Sequence, residues 1–589
     1  MKRFIFSALL ASLATIAGAQ TMSDALTYST SNYYGTARTM GMGNAVTAVG
    51  GDLGTICINP AGGSVAGYSQ FAFSMGLTTS SAESSYASSY NTTTNDPVWI
   101  SGFKDSRTRF TLPGAGINLR FDTGESDGIL SWNFGFLYNR SQTFTSSVAG
   151  GGLNQYTTMT GALADAATSA AMAGTAYDDN SAYDNWPWNP LVAYRGGLIN
   201  YNDDAGTYYG SGEFKDYNAV TNEYSYTMLG KVRQSFGYTV LGSRNDMVFN
   251  WGMDINDRVF VGANLSVPII NYRYGEFYSE VVPDDEKANF TIAPEWMEGG
   301  VVKTGANTVY LGSNYKYDYR SDVSGVNLKL GVIWLPTDGL RLGAAIQTPT
   351  AYSIHERWYV SASSRFEASD LNASETSPLA EADYSFVAPY VFNAGAAFTF
   401  GRFGMISADY ELTDFSIMEI SPIDEDDLFG PSANPYYKVN RLNELFCGVS
   451  HSLRLGMELR PTPYLAVRAG FNLTTSPVRS YMDTDGFEVD ANEYDIYFDD
   501  FENGVYQLIE NTKKYSSDKT VSYSLGLGYI SSGAFYADFA LRRTSLPSTN
   551  YSPYSNYIWD SNAGQTYMAP TLHSKNRLVD AVLTLGWRF

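Results

Sequence analysis

Cysteine is nearly absent from this chain of 589 residues: there are two, Cys57 and Cys447. A disulfide-stapled fold is thereby excluded, and two residues so far apart read as unpaired, partly buried thiols rather than a bridge. Histidine is as sparse, with His355, His451 and His573 scattered along the chain. Charged residues make up only 17%, and 60 Asp and Glu outnumber 38 Lys and Arg for a net charge of −22. A nucleic-acid partner calls for clustered Lys and Arg, so that class is excluded. After residue 20 no stretch approaches the ~20 consecutive apolar residues of a membrane-spanning helix. Only helices and closed barrels satisfy their backbone in lipid, so any membrane role falls to strands. No arrangement of nucleophile, base and orienting group declares itself, which points away from an enzyme.

What is present begins with a leader. Met1-Lys2-Arg3 is followed by an apolar run from Phe4 to Ile16 and by Ala17-Gly18-Ala19. This is the pattern of a secretory signal peptide over residues 1–19, cut before Gln20; without a Cys at the cut, no lipid anchor is expected. Tyrosine is abundant, at 45 residues, and suits an interface where the ring is buried and the hydroxyl wet. At the other end, Val579, Ala581, Leu583, Leu585, Trp587 and Phe589 alternate with Asp580, Val582, Thr584, Gly586 and Arg588. Successive side chains of a strand point to opposite faces, so this is a strand with one oily side and one mostly polar side.

The same period of two recurs about fourteen times: 67–77, 110–121, 128–140, 244–253, 258–275, 322–335, 340–359, 389–400, 403–420, 450–460, 464–475, 520–530, 534–544 and 577–589. The connections alternate. Tight ones, such as Pro336-Thr337-Asp338-Gly339, Gly401-Arg402 and Ser531-Ser532-Gly533, are made of turn-forming residues. Long ones span 78–109, 141–243, 276–321, 360–388, 421–449, 476–519 and 545–576. Short turns at one end and long loops at the other predict an all-β, antiparallel transmembrane barrel of a Gram-negative outer membrane, over 67–589.

Parity says which face meets lipid. Leu453, Leu455, Met457 and Leu459 fall outward; Arg454, Glu458 and Arg460 fall inward, as do Lys329, Arg341, Asp409, Glu411, Arg468, Asp538, Arg542, Asp580 and Arg588. A charge facing the bilayer midplane costs ~2–4 kcal/mol, so these belong in the lumen, where both signs can pair and brace the barrel and its contents. A soluble sandwich has no use for uniformly apolar outward faces with tight turns confined to one end.

Residues 20–66 do not read as strand. Ser23 or Asp24 can cap a short helix, and the run from Gly35 to Asp52 is dense in glycine and small residues before Asn59-Pro60-Ala61-Gly62. Such a segment packs poorly alone and well inside a tube. This stretch resembles the N-terminal hatch of the FadL/TodX-type outer-membrane transporters of long-chain fatty acids and other hydrophobic compounds. The segments Leu340–Thr350, Ala408–Ser416, Leu455–Arg460 and Val467–Phe471 are similar to strands of the same family. The resemblance implies a fourteen-stranded barrel closed by a hatch, capture of ligand in an outer groove, and hatch movement that opens a way sideways into the outer leaflet. Asn59, Pro60 and Ala61 carry over residue by residue as hatch or substrate-binding positions.

Gly135, within Asn133-Phe134-Gly135-Phe136, is a candidate weak point for a wall opening. The acidic loop 476–519 lacks the spacing of a calcium loop and reads as solvated, in contact with surface lipopolysaccharide; Asp424-Glu425-Asp426-Asp427 reads the same way. An Ala-rich stretch at 161–174 predicts a short outer helix. The expectation is a monomeric passive transporter, without metal or cofactor, for a hydrophobic small molecule such as a long-chain fatty acid. Two alternatives stand beside it: a scaffold holding secreted proteins at the surface, and haem capture through His355 or His573.

Overall fold

In the computed structural model, residues 21–88, 98–172, 182–221, 223–298, 301–423, 434–554 and 569–589 are described. The leader at 1–19, and the acidic run at 424–427, lie outside them.

Fourteen strands form one closed antiparallel meander. They are β1 (Gln70–Ala87), β2 (Ile100–Asp122), β3 (Ile129–Asn154), β4 (Val232–Ile255), β5 (Val259–Val281), β6 (Thr308–Trp334), β7 (Leu340–Gln347 and Thr350–Phe366), β8 (Ala380–Ala388 and Val391–Thr399), β9 (Gly404–Asp414 and Glu419–Pro422), β10 (Val449–Thr462), β11 (Leu465–Thr475), β12 (Lys519–Ile530), β13 (Phe535–Tyr551) and β14 (Thr571–Arg588). Each pairs with its neighbours in sequence, and β14 closes on β1 from Gln70–Arg588 to Ala87–Thr571. Reciprocal bonds between Ser69 and Phe589 (3.0 and 2.9 Å) finish the seal. β7 is interrupted at Thr348-Pro349 and β8 at Pro389-Tyr390, because proline brings no N–H to a ladder.

Parity holds around the wall. Leu453, Leu455, Met457 and Leu459 are exposed on the outside, while Arg454, Glu458, Arg468, Asp538, Arg542 and Asp580 are buried within. Near the short turns, Phe121, Trp334, Phe398, Tyr464, Tyr529 and Trp587 form an exposed aromatic belt. That is the exterior of a barrel standing in a bilayer.

Several strands outrun their sequence signal on the long-loop side. β3 continues to Asn154 and β4 begins at Val232, so the loop read as 141–243 is confined to residues 155–231; that read as 276–321 shrinks to 282–307. The reason is physical: beyond the bilayer the outward face has no lipid to meet, and the alternation of oily and polar residues lapses while the hydrogen-bonded ladder goes on.

Residues 21–66 run inside the barrel. α1 (Met22–Ser29) starts with a capping box, in which Thr21 Oγ1 accepts from Asp24 N and the Asp24 carboxylate accepts from Thr21 N. Thr21 is therefore the cap, and Asp24 its reciprocal partner rather than the cap. α2 (Ala37–Gly41) and α3 (Leu53–Ile58) follow, then a 3₁₀ turn over Pro60–Gly63. The wall offers glycine where this plug presses closest. A Cβ on Gly470 of β11 would meet Gly43 N at 2.0 Å, and one on Gly262 of β5 would meet Pro60 backbone at 2.4 Å.

Candidate functional site

The inward side chains of the wall are spent largely on the plug's backbone carbonyls. Arg341 donates to Val49 O (2.7 Å), Lys329 to Cys57 O (2.9 Å), Asn264 to Ile56 O (2.8 Å), Asn250 to Pro60 O (3.0 Å) and Asn118 to Gly63 O (3.0 Å). In the other sense, Thr47 N donates to Asp409 (2.7 Å) and Ala37 N to Thr584 Oγ1 (2.8 Å). Short irregular segments cannot satisfy their own carbonyls, and the ring of wall donors does so for them. Charged pairs tie the rest. Glu458 takes Arg38 of the plug (2.9 Å) as well as Arg468 (2.7 Å) and Arg460 (2.8 Å) of the wall, and Arg542 pairs with Asp580 at 3.0 Å.

Asn59 sits at this contact. Its Nδ2 donates to Thr47 O (2.7 Å) and to Val332 O of β6 (3.1 Å), while its Oδ1 accepts from Ala61 N (3.1 Å). Pro60 opens the 3₁₀ turn, and Ala61 is fully buried against Phe260 and Ile333. The three residues bracket plug to wall near the short-turn end. Cys57 and Cys447 are both free and buried.

Around α1 of the plug the lumen is aromatic. Tyr28 of α1 lies among Phe144, Tyr272, Tyr352 and Phe386, and its hydroxyl meets that of Tyr319 at 3.0 Å. Tyr319 and Tyr384 in turn donate to the buried Glu356 (2.7 and 3.0 Å). The mouth is filled by the chain between β3 and β4. α4 (Met159–Met172), the Ala-rich segment, packs its buried Ala164 and Ala167 with Trp186, Leu191, Phe236 and Tyr208. Thr158 Oγ1 and Gln234 hold the buried Glu280 at 2.6 and 2.9 Å. The histidines do not gather: half-buried His355 pairs with Asp383, exposed His451 with Tyr410, and half-buried His573 with Asn550.

One wall junction departs from the meander. β2 and β3 pair only from Asp122–Ser131 to Gly114–Asn139. Beyond that, Ile100–Thr111 keeps its ladder with β1 alone, and β3 continues with β4 alone after an irregularity between Arg140 and Gln142. The parting begins at Pro113-Gly114, where proline removes a ladder donor. The plug supplies what β2 withholds. Asn32 N and Tyr33 N donate to Ser141 O (2.8 and 3.2 Å), Tyr34 N donates to Arg140 O (3.0 Å), and Asn32 Nδ2 donates to Gln142 Oε1 (2.7 Å). Tyr33 and Gly35 take positive φ, 45° and 53°, to make this approach. Farther out the strands touch through side chains, Ser147 Oγ donating to Asp105. Gly135 lies below the parting and is paired on both sides, with Asn118 and Asn250. On the outer surface, an apolar hollow of about 520 Å³ runs from Phe134 and Phe249 past Leu265 and Leu330 to Ile346 and Tyr390, at the breaks in β7 and β8.

Solved structures similar to this chain include a Pseudomonas aeruginosa FadL homologue, at 12% identity over 93% of this chain and 98% of that one, with a TM-score of 0.43. The P. putida toluene transporter TodX matches at 12% identity over 94% and 97%, with a TM-score of 0.38. A TodX deltaS2S3 mutant, a monoaromatic hydrocarbon channel, matches at 12% over 95% and 99%, with a TM-score of 0.42. These are distant likenesses. No protein-family model and no curated protein matches the sequence.

Proposed function

We propose that this protein is a passive transporter of hydrophobic and amphipathic small molecules, long-chain fatty acids first, in the outer membrane of a Gram-negative bacterium. The observation that carries the reading is the parting of β2 from β3, at a point where the backbone of residues 32–34 and the Asn32 side chain bond the edge that β2 leaves. A molecule with an apolar tail is poorly served by a water-filled pore and well served by a dry aromatic chamber with few polar contacts. The buried aromatic cluster around Tyr28 of the plug would line such a chamber once the plug shifts. Withdrawal of residues 31–35 from Arg140 and Ser141 would join it sideways to the outer leaflet. Partition into lipid supplies the driving force, and no cofactor is called for.

The test is to lock the seam. Asn32 and Gln142 side chains touch, and an Asn32→Cys/Gln142→Cys variant would cross-link plug to wall. In liposomes, oleate influx should fall at least about tenfold when the pair is oxidised and recover on reduction. Influx unchanged by the lock would overturn the route. Absence of influx in the parent protein, together with a large partner that co-purifies through residues 155–231, would favour the scaffold.

A further inference from the structure

We infer that the outer lumen holds a binding site for the ammonium group of an organic cation, formed by Glu276 within a cage of Tyr238, Tyr274, Tyr317 and Tyr551. The site goes beyond the transport reading above and does not depend on the seam. Glu276 of β5 shares one rung with Tyr238 of β4 and Tyr317 of β6. Tyr274 stands next to it on the same face of β5, and Tyr551, at the outer end of β13, donates its hydroxyl to Glu276 Oε1. The wall neighbours of β13 are β12 and β14, so that bond crosses the lumen. The rings close around the carboxylate. Between centroids, Tyr238 lies 5.8 Å from Tyr274 and 5.0 Å from Tyr551, and Tyr317 lies 6.2 Å from Tyr274. Parity turns these side chains inward, as the contacts of Tyr272 and Tyr319 with Tyr28 of the plug show for the same faces. Yet Tyr238, Tyr274, Glu276 and Tyr317 are only half-buried. Their remaining surface therefore faces space inside the barrel.

The cage has no positive charge of its own. One Glu276 oxygen accepts from Tyr551 and the other from Tyr274 at 3.4 Å; among the described residues no Lys, Arg or His pairs with it. An ionised carboxylate has room for about four such bonds. Glu280, farther out on β5, also lacks a cation, but it is fully enclosed and accepts from Tyr278, Thr158 and Gln234. Glu411, Glu458 and Asp580 each meet an arginine. Glu276 is left with open capacity toward the lumen. The negative faces of aromatic rings attract a cation, and a carboxylate among them adds the counter-charge, so an alkylated ammonium suits both parts of the cage. A fatty-acid carboxylate would meet like charge here, and the site therefore adds a second class of ligand. A hard metal ion takes six or more oxygen ligands, which one carboxylate among phenols does not supply. The net charge of −22 draws cations toward the protein. Val259, at the inner end of β5, pairs with Trp334 of the aromatic belt. At roughly 3.3 Å per residue from there, Glu276 stands outside a ~25 Å apolar band, on the side of the external medium.

The experiment uses the full mature protein in dodecyl maltoside, a neutral detergent, with hexyltrimethylammonium and hexanol as probes read by isothermal titration calorimetry. The parent protein should bind the ammonium at least about tenfold more tightly than the alcohol. Glu276→Gln should cut that ratio about tenfold and leave the affinity for hexanol unchanged. Tyr317→Leu should cut it about fivefold, and Tyr317→Phe should keep it within about twofold, since the ring faces the cation. Heat-modifiable mobility reports whether each variant is folded. Equal affinities for the two probes in the parent would overturn the proposal, whatever the variants do. So would a preference that survives Glu276→Gln, or equal losses in the leucine and phenylalanine variants, which would give Tyr317 a merely structural role. Oleate influx bears on the transport reading alone; its absence would leave the probe ratio to decide this site.

Discussion

At the scale of single residues, the plug is held by groups whose removal should be felt well beyond their size. Asn59 makes three hydrogen bonds, two of them to buried carbonyls of plug and wall. Asn59→Ala should cost about 2–3 kcal/mol of plug docking, since a buried carbonyl left unpaired loses more than one average bond. The expected readout is more frequent pore openings in planar bilayers, with the barrel's heat-modifiable mobility unchanged. Conductance like the parent's would mean that the bracket is redundant. Gly262→Val should act more severely in the same assay, because its Cβ would meet Pro60 backbone rather than a movable side chain. Gly533→Ala is the control, its nearest neighbour being Ser531 Oγ at 3.9 Å. The inward charges were legible in sequence because parity alone assigns them. Their partners were not: nothing in the spacing says that Arg341 and Lys329 serve carbonyls of Val49 and Cys57. The seam could have been sought at Pro113-Gly114, since a proline inside a strand marks an unpaired edge; a lone glycine in a strand, such as Gly135, has several other uses.

At the scale of elements, sequence showed the strands where they cross lipid and lost them where they leave it. β10 and β11, whose outward faces are Leu, Val and Met, were found within two residues of their ends. β3 was cut short because Gln142-Thr143-Phe144-Thr145-Ser146 no longer alternates in polarity, although its ladder with β4 continues. The structure separates the two outer edges at the seam, and hydrogen exchange should report it. Alternate amides of Ile100–Leu112 face no strand on the β3 side. They should exchange on the order of 100-fold faster than those of β2 between Gly114 and Asp122, which face a paired β3. Uniform protection along β2 would mean that the seam is closed in solution.

At the scale of the whole molecule, closure and filling are separate achievements, and they were unequally legible. Closure follows from a repeating pattern that any one strand displays, as the last residues do from Val579 to Phe589. Filling depends on contacts between distant segments that have no period, such as Tyr28 with Phe386 or Trp186 with Tyr208. The separation predicts what removal of residues 21–62 should do. The β1–β14 ladder and the Ser69–Phe589 bonds involve none of them. Glu458 would lose Arg38 but keep Arg468 and Arg460, and Arg542 would keep Asp580. The groups left bare, Lys329 and Arg341 among them, would face a lumen that water can enter, so their charges would be solvated rather than stranded. The shortened chain should therefore fold in detergent as a heat-modifiable barrel and conduct ions freely, while losing the plug-gated oleate influx proposed for the parent. Failure of the shortened chain to fold would show instead that the wall is built around its plug and has no stability of its own.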